Sequence, residues 1–315
     1  MTDTQPKSTP ATSTPVAPPC LPDAAHKGQA GRILCLCGSL EMPGAAVLSV
    51  RAAQRAGAGL VTLAVFAKEL IQMVSAHSPE TLYLDLSRTQ DLFAGRLPKA
   101  FAEARTNARL IGPGMGASGR TRELVRRVVE DEFPGPVVLD ADALNVLAGA
   151  PEVVQASKGQ LILTPHPGEA ARLLERQIPE DDEGRIGVAR ELAESSGAIC
   201  VLKGRHSIVT DGSSVYLNRT GGPAMATAGT GDVLAGIVAS YAARSARMTA
   251  EGECPADFGL FGAVCAAVHV HGRAGDLAAE KLGQAGVVAS DLIDCLPQAQ
   301  LEHALRCAGG KGSDG

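Results

Sequence analysis

The sequence has 315 residues, 45% of them hydrophobic and 20% charged, which is the balance of a globular protein. A net charge of −5, the lack of tryptophan and an aromatic content of only 3% argue against a nucleic-acid-binding surface, which needs cations for phosphates and rings for bases. No apolar run reaches the length of a membrane span, because glycines and charged residues interrupt each one.

The eight cysteines predict a reducing compartment rather than a disulfide framework. They form no C-x-x-C pair, and most lie within apolar runs such as ILCLC at 33–37, where a thiol behaves as a small hydrophobic group. The N-terminal stretch has no hydrophobic segment of the kind that a signal peptide needs. We therefore expect a cytoplasmic protein with buried free thiols.

Both ends of the chain have the composition of tails. Residues 1–24 are rich in proline and threonine and predict a disordered segment, and residues 306–315 predict a flexible one. Neither a long linker nor a repeat interrupts the sequence between them. Residues 25–305 are therefore predicted to form a single domain.

Strand patterns and amphipathic helix patterns alternate along this domain. In chain order they predict a strand at 31–39, a helix at 44–57, strands at 59–66 and 108–116, a helix at 121–133, strands at 136–144 and 159–169, a helix at 183–197, a strand at 198–204, a hairpin at 207–218 and helices at 231–244, 260–281 and 290–305. Such alternation predicts an α/β fold with a mostly parallel central sheet covered by helices on both faces.

Glycines and polar residues collect directly after five of the predicted strands. They stand at 38–39, 112–114, 140–142, 164–166 and 203–204. Ligands bind outside the carboxyl ends of the strands in parallel sheets of this kind. The sequence therefore predicts one cleft to which five strand ends contribute.

The stretch GGPAMATAGTGDVLAG at 221–236 runs directly into a helix pattern. Its glycines let an anion reach the unpaired N–H groups of a helix N-terminus, so Gly229, Thr230 and Gly231 predict an anion hole. Asp232 could simply cap the helix. Beside a bound phosphate, however, a carboxylate is unfavourable unless it removes a proton from an attacking hydroxyl, and we favour Asp232 as a catalytic base.

His166 and Lys203 also follow strands. In LTPHPGE at 163–169 two prolines fix the backbone around His166, which favours a ligand contact over an ordinary loop hydrogen bond. Glu169 is expected to begin the next helix, where a carboxylate is favourable. Lys203 either neutralises a phosphate or faces solvent at the strand end.

The stretch LDAD at 139–142 leaves two interpretations open. Asp140 and Asp142 could ligate Mg²⁺ directly, since hard oxygen ligands suit that ion. Equally, Asp140 could accept backbone N–H groups of a neighbouring loop while Asp142 caps a helix that begins at Ala143. The chain contains neither G-x-x-x-x-G-K-[ST] nor G-x-S-x-G, so the residues themselves predict an α/β enzyme with a phosphate-bearing ligand and Asp232 as its base.

Several stretches carry a family resemblance over residues 27–300: MPGAA (42–46), IGPGMG (111–116), LDADALNVL (139–147), LTPHPGE (163–169), VLKGRHSIVTDG (201–212) and NRTGGPAMATAGTGDVLAGIVA (218–239). Together they resemble the ADP/ATP-dependent NAD(P)H-hydrate dehydratases of the ribokinase-like superfamily. The resemblance implies a ribokinase-like three-layer sandwich. It also implies a hydro-lyase that returns the S-form of NADHX or NADPHX to NADH or NADPH.

In this family the nucleotide phosphorylates the hydroxyl of the hydrated ring, and phosphate then leaves as the ring double bond returns. Bacterial-type members use ADP and form AMP, eukaryotic ones use ATP, and Mg²⁺ is the expected companion ion. The resemblance implies a homotetramer. It also implies that the epimerase is a separate chain, because only the predicted tail precedes the domain.

Position by position, the resemblance implies that Ala45, Gly114, His166 and Asp232 contact the hydrate. It implies that Lys203, Gly204, Arg205, His206, Ser207 and Gly231 contact the adenine nucleotide, with no metal ligand assigned. Arg205-His206 stands where many relatives have a small residue after Lys-Gly, and the extra positive charge would suit a diphosphate.

Two other functions are compatible with part of the pattern. A ribokinase-like kinase of a vitamin precursor alcohol would use the same GTGD loop at 229–232. A non-catalytic nucleotide-binding regulator would not need Asp232. The combination of LTPHPGE with DADALN favours the dehydratase over both.

Overall fold

A nine-stranded β-sheet lies at the centre of the computed structural model, which describes residues 15–87, 101, 104–155, 157 and 159–309. Its strands are β1 (Arg32–Leu36), β2 (Leu60–Val65), β3 (Leu82–Asp85), β4 (Ala108–Ile111), β5 (Val137–Leu139), β6 (Leu161–Leu163), β7 (Ile199–Leu202), β8 (Ile208–Thr210) and β9 (Val215–Leu217). They lie in the order β3-β2-β1-β4-β5-β6-β7-β8-β9. The strands from β3 to β7 are parallel, and β8 and β9 complete the sheet as an antiparallel hairpin.

Helices cover this sheet. Those of the described residues are α1 (Pro43–Arg55), α2 (Glu69–Ser75), α3 (Gly119–Glu130), α4 (Asp142–Leu147), α5 (Pro151–Gln155), α6 (Pro167–Leu173), α7 (Asp182–Ser196), α8 (Thr230–Ala250), α9 (Leu260–Leu282) and α10 (Ala289–Gly309), with short 3₁₀ helices at Pro223–Met225 and Ala256–Phe258. None of the helices in the described ranges is both long and apolar enough to cross a membrane.

The core has two sides because successive side chains of a strand point to opposite faces of the sheet. In β1, Ile33 and Cys35 pack with apolar residues of α1, α8, α9 and α10. Leu34 and Leu36 pack on the other face with α3 and α4. A third cluster fills the space between α7 and the strands β7 to β9. The predicted α/β fold, with helices on both faces of a mostly parallel sheet, is confirmed.

Each predicted strand and helix is present, but several boundaries differ. α8 extends to Ala250 instead of 244, because Arg247 and Met248 are buried although polar neighbours interrupt the apolar pattern there. α2, β3 and α5 were not predicted. They have seven, four and five residues, too few for a clear period, and Leu82 at the start of the edge strand β3 is exposed.

The structure packs residues at both ends that the sequence assigned to tails. Residues 1–14 and 310–315 lie outside the described residues. Pro15 and Ala17 are nevertheless buried, and the Pro15 carbonyl accepts a hydrogen bond of 2.7 Å from Nε2 of His303. α10 runs to Gly309. The packed part of the chain therefore begins before residue 25 and ends after residue 305.

Candidate active site

The five polar strand ends lie side by side, because β1, β4, β5, β6 and β7 are neighbours in the sheet. α8 packs against β1, β4 and β5 and brings its N-terminus to the same edge. The strand order therefore assembles the single cleft that the sequence predicted.

The N-terminus of α8 is open to a ligand. Gly229 precedes the helix with φ of +88°, and a Cβ atom at this position would press on Leu48. No side chain of the described residues caps the helix, since the Thr230 hydroxyl instead donates to the carbonyls of Met225 and Thr227, at 3.1 Å each. The first N–H groups of α8 are therefore left for an anion, as predicted for an anion hole.

Asp232 is the third residue of α8 and is partly buried. Burial raises the pKa of its carboxyl group to about 7, the negative charges of Asp140 and Asp142 add to this, and Lys203 opposes it. A pKa near neutrality lets one group both accept and release a proton at physiological pH. The environment is thus suited to the predicted role of a general base.

Lys203 follows β7 and points into the same space. Its Nζ atom lies 2.7 Å from Oδ1 of Asp140 and 3.7 Å from Oε2 of Glu169. Burial alone would lower the pKa of the ammonium group, but Asp140 and Glu169 outweigh burial and raise it. Lys203 is therefore a buried cation, which excludes the alternative of a lysine facing solvent.

A cavity of about 800 Å³ opens between the end of β7, the 3₁₀ turn at Pro223–Met225, the start of α8 and the middle of α9. Its lining includes all the residues predicted to contact the adenine nucleotide, namely Lys203, Gly204, Arg205, His206, Ser207 and Gly231. The volume is ample for a nucleotide. The structure thus brings the predicted nucleotide residues together around one space.

The turn that carries these residues is tied to α7. Nδ1 of His206 lies 2.9 Å from a carboxylate oxygen of Asp182, and Arg185 donates to the Lys203 carbonyl at 3.3 Å. Arg205 is exposed at the cavity. Arg205 and His206 therefore both line the cavity, while His206 also anchors the turn to α7.

His271 was not predicted as a site residue, although it lines the same cavity. Its Nε2 lies 2.9 Å from the Thr230 carbonyl, and burial lowers the pKa of its ring to about 4. The ring is therefore neutral at physiological pH and donates Nε2–H to the first turn of α8. The available signal was its position within HGRAGD at 271–276, a further stretch that resembles the dehydratases.

His166 begins α6 as its N-cap. Nδ1 accepts hydrogen bonds from the backbone N–H of Gly168 (2.9 Å) and Glu169 (3.3 Å), and the Glu169 carboxylate accepts from the N–H of His166 at 2.7 Å. Glu169 lies in the first turn of α6, as expected. An accepting Nδ1 requires a neutral ring with the proton on Nε2, and Nε2 lies 3.5 Å from Oε1 of Glu169, so Nε2–H can donate either to that carboxylate or to a ligand.

Ala45 and Gly114 face each other across the start of α1 and the loop after β4. A Cβ atom at Gly114 would lie 2.6 Å from that of Ala45, so only glycine allows this approach, and Gly114 has φ of +65°. These two predicted hydrate contacts are therefore adjacent, at the strand ends next to those that carry Asp140 and His166.

Neither earlier interpretation of the LDAD stretch describes the structure fully. Asp140 accepts from the Thr164 hydroxyl and from Lys203 rather than from backbone N–H groups. α4 begins at Asp142 itself, whose carboxylate accepts from the N–H of Gly116 at 2.7 Å, so the prediction that it caps a helix from Ala143 is wrong. Ala141 between them has φ of +50°, a strained value for a residue with a side chain.

The described residues contain no group of three histidine, cysteine or acidic side chains arranged to hold a metal ion. Asp140 and Asp142, the suggested Mg²⁺ ligands, are each engaged in the contacts given above. Mg²⁺ often keeps several waters and binds through one or two carboxylates together with substrate phosphates. The donor set here fits an ion that enters with the nucleotide rather than one held in a protein cage.

Comparison with known families decides between the interpretations. The family described as NAD(P)H-hydrate dehydratase matches residues 33–298. The chain belongs to this family. The match covers the whole sheet except the first residue of β1, and it reaches from the start of the sheet into α10.

Curated proteins that are similar to this chain have names of the same family. A bifunctional NAD(P)H-hydrate repair enzyme of Moorella thermoacetica is 40% identical over 284 residues, which is 86% of this chain and 49% of that protein. The chain thus spans about half the length of that relative. An ADP-dependent (S)-NAD(P)H-hydrate dehydratase of Neisseria meningitidis serogroup B is 34% identical over 275 residues, 85% of this chain and 84% of that protein.

A solved structure supports the fold. The ADP/ATP-dependent NAD(P)H-hydrate dehydratase of Bacillus subtilis, co-crystallised with ATP and Mg²⁺, superposes with a TM-score of 0.74 at 28% identity. The superposition covers 93% of this chain and all of that one. The predicted ribokinase-like fold and the predicted family are therefore both confirmed.

Proposed function

We propose that this dehydratase family member catalyses the ADP-dependent dehydration of the S-form of NADHX or NADPHX to NADH or NADPH, with release of AMP and phosphate. The observation that carries the proposal is the position of Asp232, a carboxyl group with a pKa of about 7 at the uncapped N-terminus of α8. Family membership and the activity named for the Neisseria relative support the choice of substrate.

The reaction follows from this geometry in two steps. Asp232 takes the proton of the ring hydroxyl, the hydroxyl oxygen attacks the terminal phosphorus of ADP, and the bond from that phosphorus to the bridging oxygen breaks to release AMP. The N–H groups of the Gly229–Gly231 turn and the ammonium of Lys203 face the developing charge. In the second step the ring C–O bond breaks, phosphate leaves, and a proton lost from the adjacent ring carbon completes the double bond.

The phosphoryl transfer supplies the driving force for the loss of water. Hydroxide is a poor leaving group, whereas phosphate carries the same oxygen away as a stabilised anion. Mg²⁺ bound to the nucleotide would neutralise phosphate charge. In this scheme Ala45, Gly114 and His166 contact the hydrate, while Lys203 to Ser207 and Gly231 contact the nucleotide.

We further propose that the protein is a cytoplasmic homotetramer. All eight cysteines are free and five of them are buried, which suits a reducing compartment. Leu301 and Leu305 lie four residues apart on α10 and are 60% and 63% exposed. An apolar strip of this kind is what a subunit contact would cover.

The test is recovery of the near-ultraviolet absorbance of the dihydronicotinamide ring. Purified protein is incubated with S-NADHX or S-NADPHX and with ADP, ATP or no nucleotide. The AMP and phosphate that form are then quantified. We expect recovery only with nucleotide, and a loss of roughly 10²–10⁴-fold in turnover for Asp232→Asn.

Two outcomes would contradict the proposal. Absence of recovery, together with phosphorylation of a vitamin precursor alcohol, would assign the chain to the kinases that share the GTGD loop. Full turnover of Asp232→Asn would remove Asp232 as the base and would leave the nucleotide-binding cavity without a catalytic group.

A further inference from the structure

Asp140 is a buried carboxylate to which the mechanism above gives no role. It follows β5, is only 1% exposed, and accepts hydrogen bonds of 2.7 Å from both the Thr164 hydroxyl and Nζ of Lys203. Removal of two charges from water costs more than such a pair usually returns in stability. The ion pair therefore calls for an explanation other than stability of the fold.

The location of the ammonium group supplies one. A Cβ atom on Gly231 would lie 3.6 Å from Nζ of Lys203, so the cation is next to the first turn of α8, where the phosphate is proposed to arrive. The carboxylate of Glu169, which is buried and 4% exposed, lies 3.7 Å from the same ammonium. Asp140 and Glu169 thus hold the cation from one side and leave its other side to the cavity.

A lysine side chain has a flexible stem of four carbons and can adopt many rotamers. If Asp140 did not hold it, the ammonium would turn to the remaining carboxylates whose charge acts on it, namely Glu169 and Asp232. An Asp232 paired with Lys203 would be a poor base, because a neighbouring cation favours its deprotonated form. The arrangement therefore separates two groups that would otherwise neutralise each other.

We propose that Asp140 is a positioning residue for the proposed reaction, which holds the ammonium of Lys203 beside Gly231 and keeps it from pairing with Asp232. This inference rests on the proposed function only for its effect on turnover. The placement of the charge is a property of the protein without ligands and can be measured there.

The charged and titratable groups that face Asp232 fix the direction of each expected shift. Asp140 from the end of β5 and Asp142 from α4 raise the pKa of Asp232, while Lys203 from the end of β7 lowers it. Cys37, directly after β1, also interacts with the charge of Asp232, and the ring of His271 on α9 interacts with that of Lys203.

The test combines Asp140→Asn and Lys203→Met. Asparagine has the shape of aspartate and keeps an oxygen for the Thr164 hydroxyl, so the packing is retained. We expect Asp140→Asn to reduce kcat by about 10- to 100-fold and to move the acidic limb of the pH profile down by about one pH unit, because the repulsion from Asp140 is lost and Lys203 turns to Asp232. Lys203→Met should move the same limb up.

The titration of Asp232 is also followed directly, by the carboxyl carbon resonance of the enzyme labelled at aspartate and assigned through Asp232→Asn. This signal does not require turnover. If the wild type lacked dehydratase activity but the two variants still shifted the Asp232 midpoint as expected, the proposed function would be rejected and the inference about Asp140 would be kept. Glu123→Gln on α3 removes one negative charge outside the cleft and should change neither signal.

An Asp140→Asn variant with the wild-type midpoint and kcat would overturn the inference and make Asp140 a purely structural group. If that variant does not fold, Lys203→Met decides, and an unchanged Asp232 midpoint there would equally overturn it.

Discussion

Asp232, the proposed catalytic base, lowers the stability of the folded protein. Its carboxyl group is more readily ionised in the unfolded chain than in the folded protein, because burial and the carboxylates of Asp140 and Asp142 disfavour its charge. The folded state therefore binds the proton more tightly over the range between the two pKa values. Such perturbed groups collect at functional sites.

The first prediction is that Asp232→Asn stabilises the protein at neutral and alkaline pH. Folding raises the pKa of Asp232 from its ordinary value near 4 to about 7, so the cost of ionisation is absent below about pH 4, grows as pH rises, and is complete above about pH 7. Asparagine has no such cost. We expect the Tm of the variant without nucleotide to exceed that of the wild type by a few degrees at about pH 8, with the difference vanishing near pH 4.

Thermal unfolding of the wild type and of Asp232→Asn across this pH range measures the difference in Tm. Titrating groups that do not interact with Asp232 contribute equally to both proteins and cancel in this difference. A wild type that is the more stable protein at alkaline pH would show that Asp232 is ionised without cost.

The second prediction separates the two roles of His166, helix cap and ligand. His166→Asn keeps a side-chain acceptor for the N-terminus of α6, whereas His166→Ala removes it and should cost about 1 kcal/mol of unfolding free energy. Both variants lack the ring Nε2–H. We expect both to raise KM for the hydrate and only alanine to lower Tm.

Steady-state kinetics and thermal unfolding of the same two variants provide the measurement. If His166→Asn has the wild-type KM, His166 caps α6 and does nothing more.

Single residues were predictable from the sequence where a local motif carried them. Asp232, Lys203 and His166 each end or follow a recognisable strand or glycine loop. The proposed role of Asp140 could not be predicted, because its partner Lys203 is 63 positions away in the sequence. The same holds for His271, whose hydrogen-bond partner Thr230 is 41 positions away. Such pairs become visible only when the sheet order sets them side by side.

At the scale of elements, α9 supports one wall of the nucleotide cavity through a glycine surface. Gly272 faces the backbone of Thr220, and Gly275 faces the thioether of Met225, so the loop before α8 lies directly on the helix. The N–H of Gly221 in that loop donates to Asp276 of α9 at 3.1 Å. This wall of the cavity therefore requires glycine at positions 272 and 275.

The third prediction tests this surface with Gly272→Ala. Its Cβ would collide with the Thr220 carbonyl, a backbone group that cannot move without the cavity wall. We expect a raised KM for the nucleotide, little change in KM for the hydrate, and a stability loss of about 1–3 kcal/mol.

Gly187→Ala in α7 is the matched control. That glycine is exposed within a helix, and nothing lies within 4 Å of its Cβ position, so alanine should stabilise by up to about 1 kcal/mol without kinetic effect. Equal kinetics for the two variants would show that the cavity wall tolerates a shift.

Elements with a long apolar period were predicted well, and short ones were not. α1, α7 and α9 show their period over more than ten residues. α2 and β3 are half exposed and too short for any period, so only their packing on the neighbouring strand defines them.

At the scale of the whole molecule, alternation of strands and helices predicted the fold class, and family motifs predicted the family. The order of the strands could not be predicted in this way, because β1 lies between β2 and β4 in the sheet although it precedes both in the sequence. Within the N-terminal stretch that the composition assigned to a tail, Pro15 and Ala17 are buried, a contact with distant residues that a proline-rich composition does not indicate.

The fourth prediction concerns that N-terminal segment. Its Pro15 carbonyl accepts the only hydrogen bond recorded for the buried His303 ring in the described residues, and the Pro19 carbonyl accepts from Arg244. Deletion of residues 1–20 leaves these donors without partners. We expect a stability loss of about 1–3 kcal/mol, measured by denaturant unfolding.

Deletion of residues 1–13 is the control, since it keeps Pro15 and its neighbours. If both deletions unfold at the wild-type denaturant concentration, the segment rests on the domain without supporting it.

The division of the core between the two ends of the chain has a consequence for synthesis on the ribosome. Strands β1, β2 and β4 are complete once Ile111 has been made, yet one face of them is covered by α8, α9 and α10, which begin only at Thr230. Until those helices emerge, only α1 covers this face, and the nascent sheet leaves part of its apolar surface exposed at the stage when chains are most prone to aggregate. The first of the late helices carries Asp232 near its start, so the proposed catalytic base is synthesised just before most of the surface that closes the core.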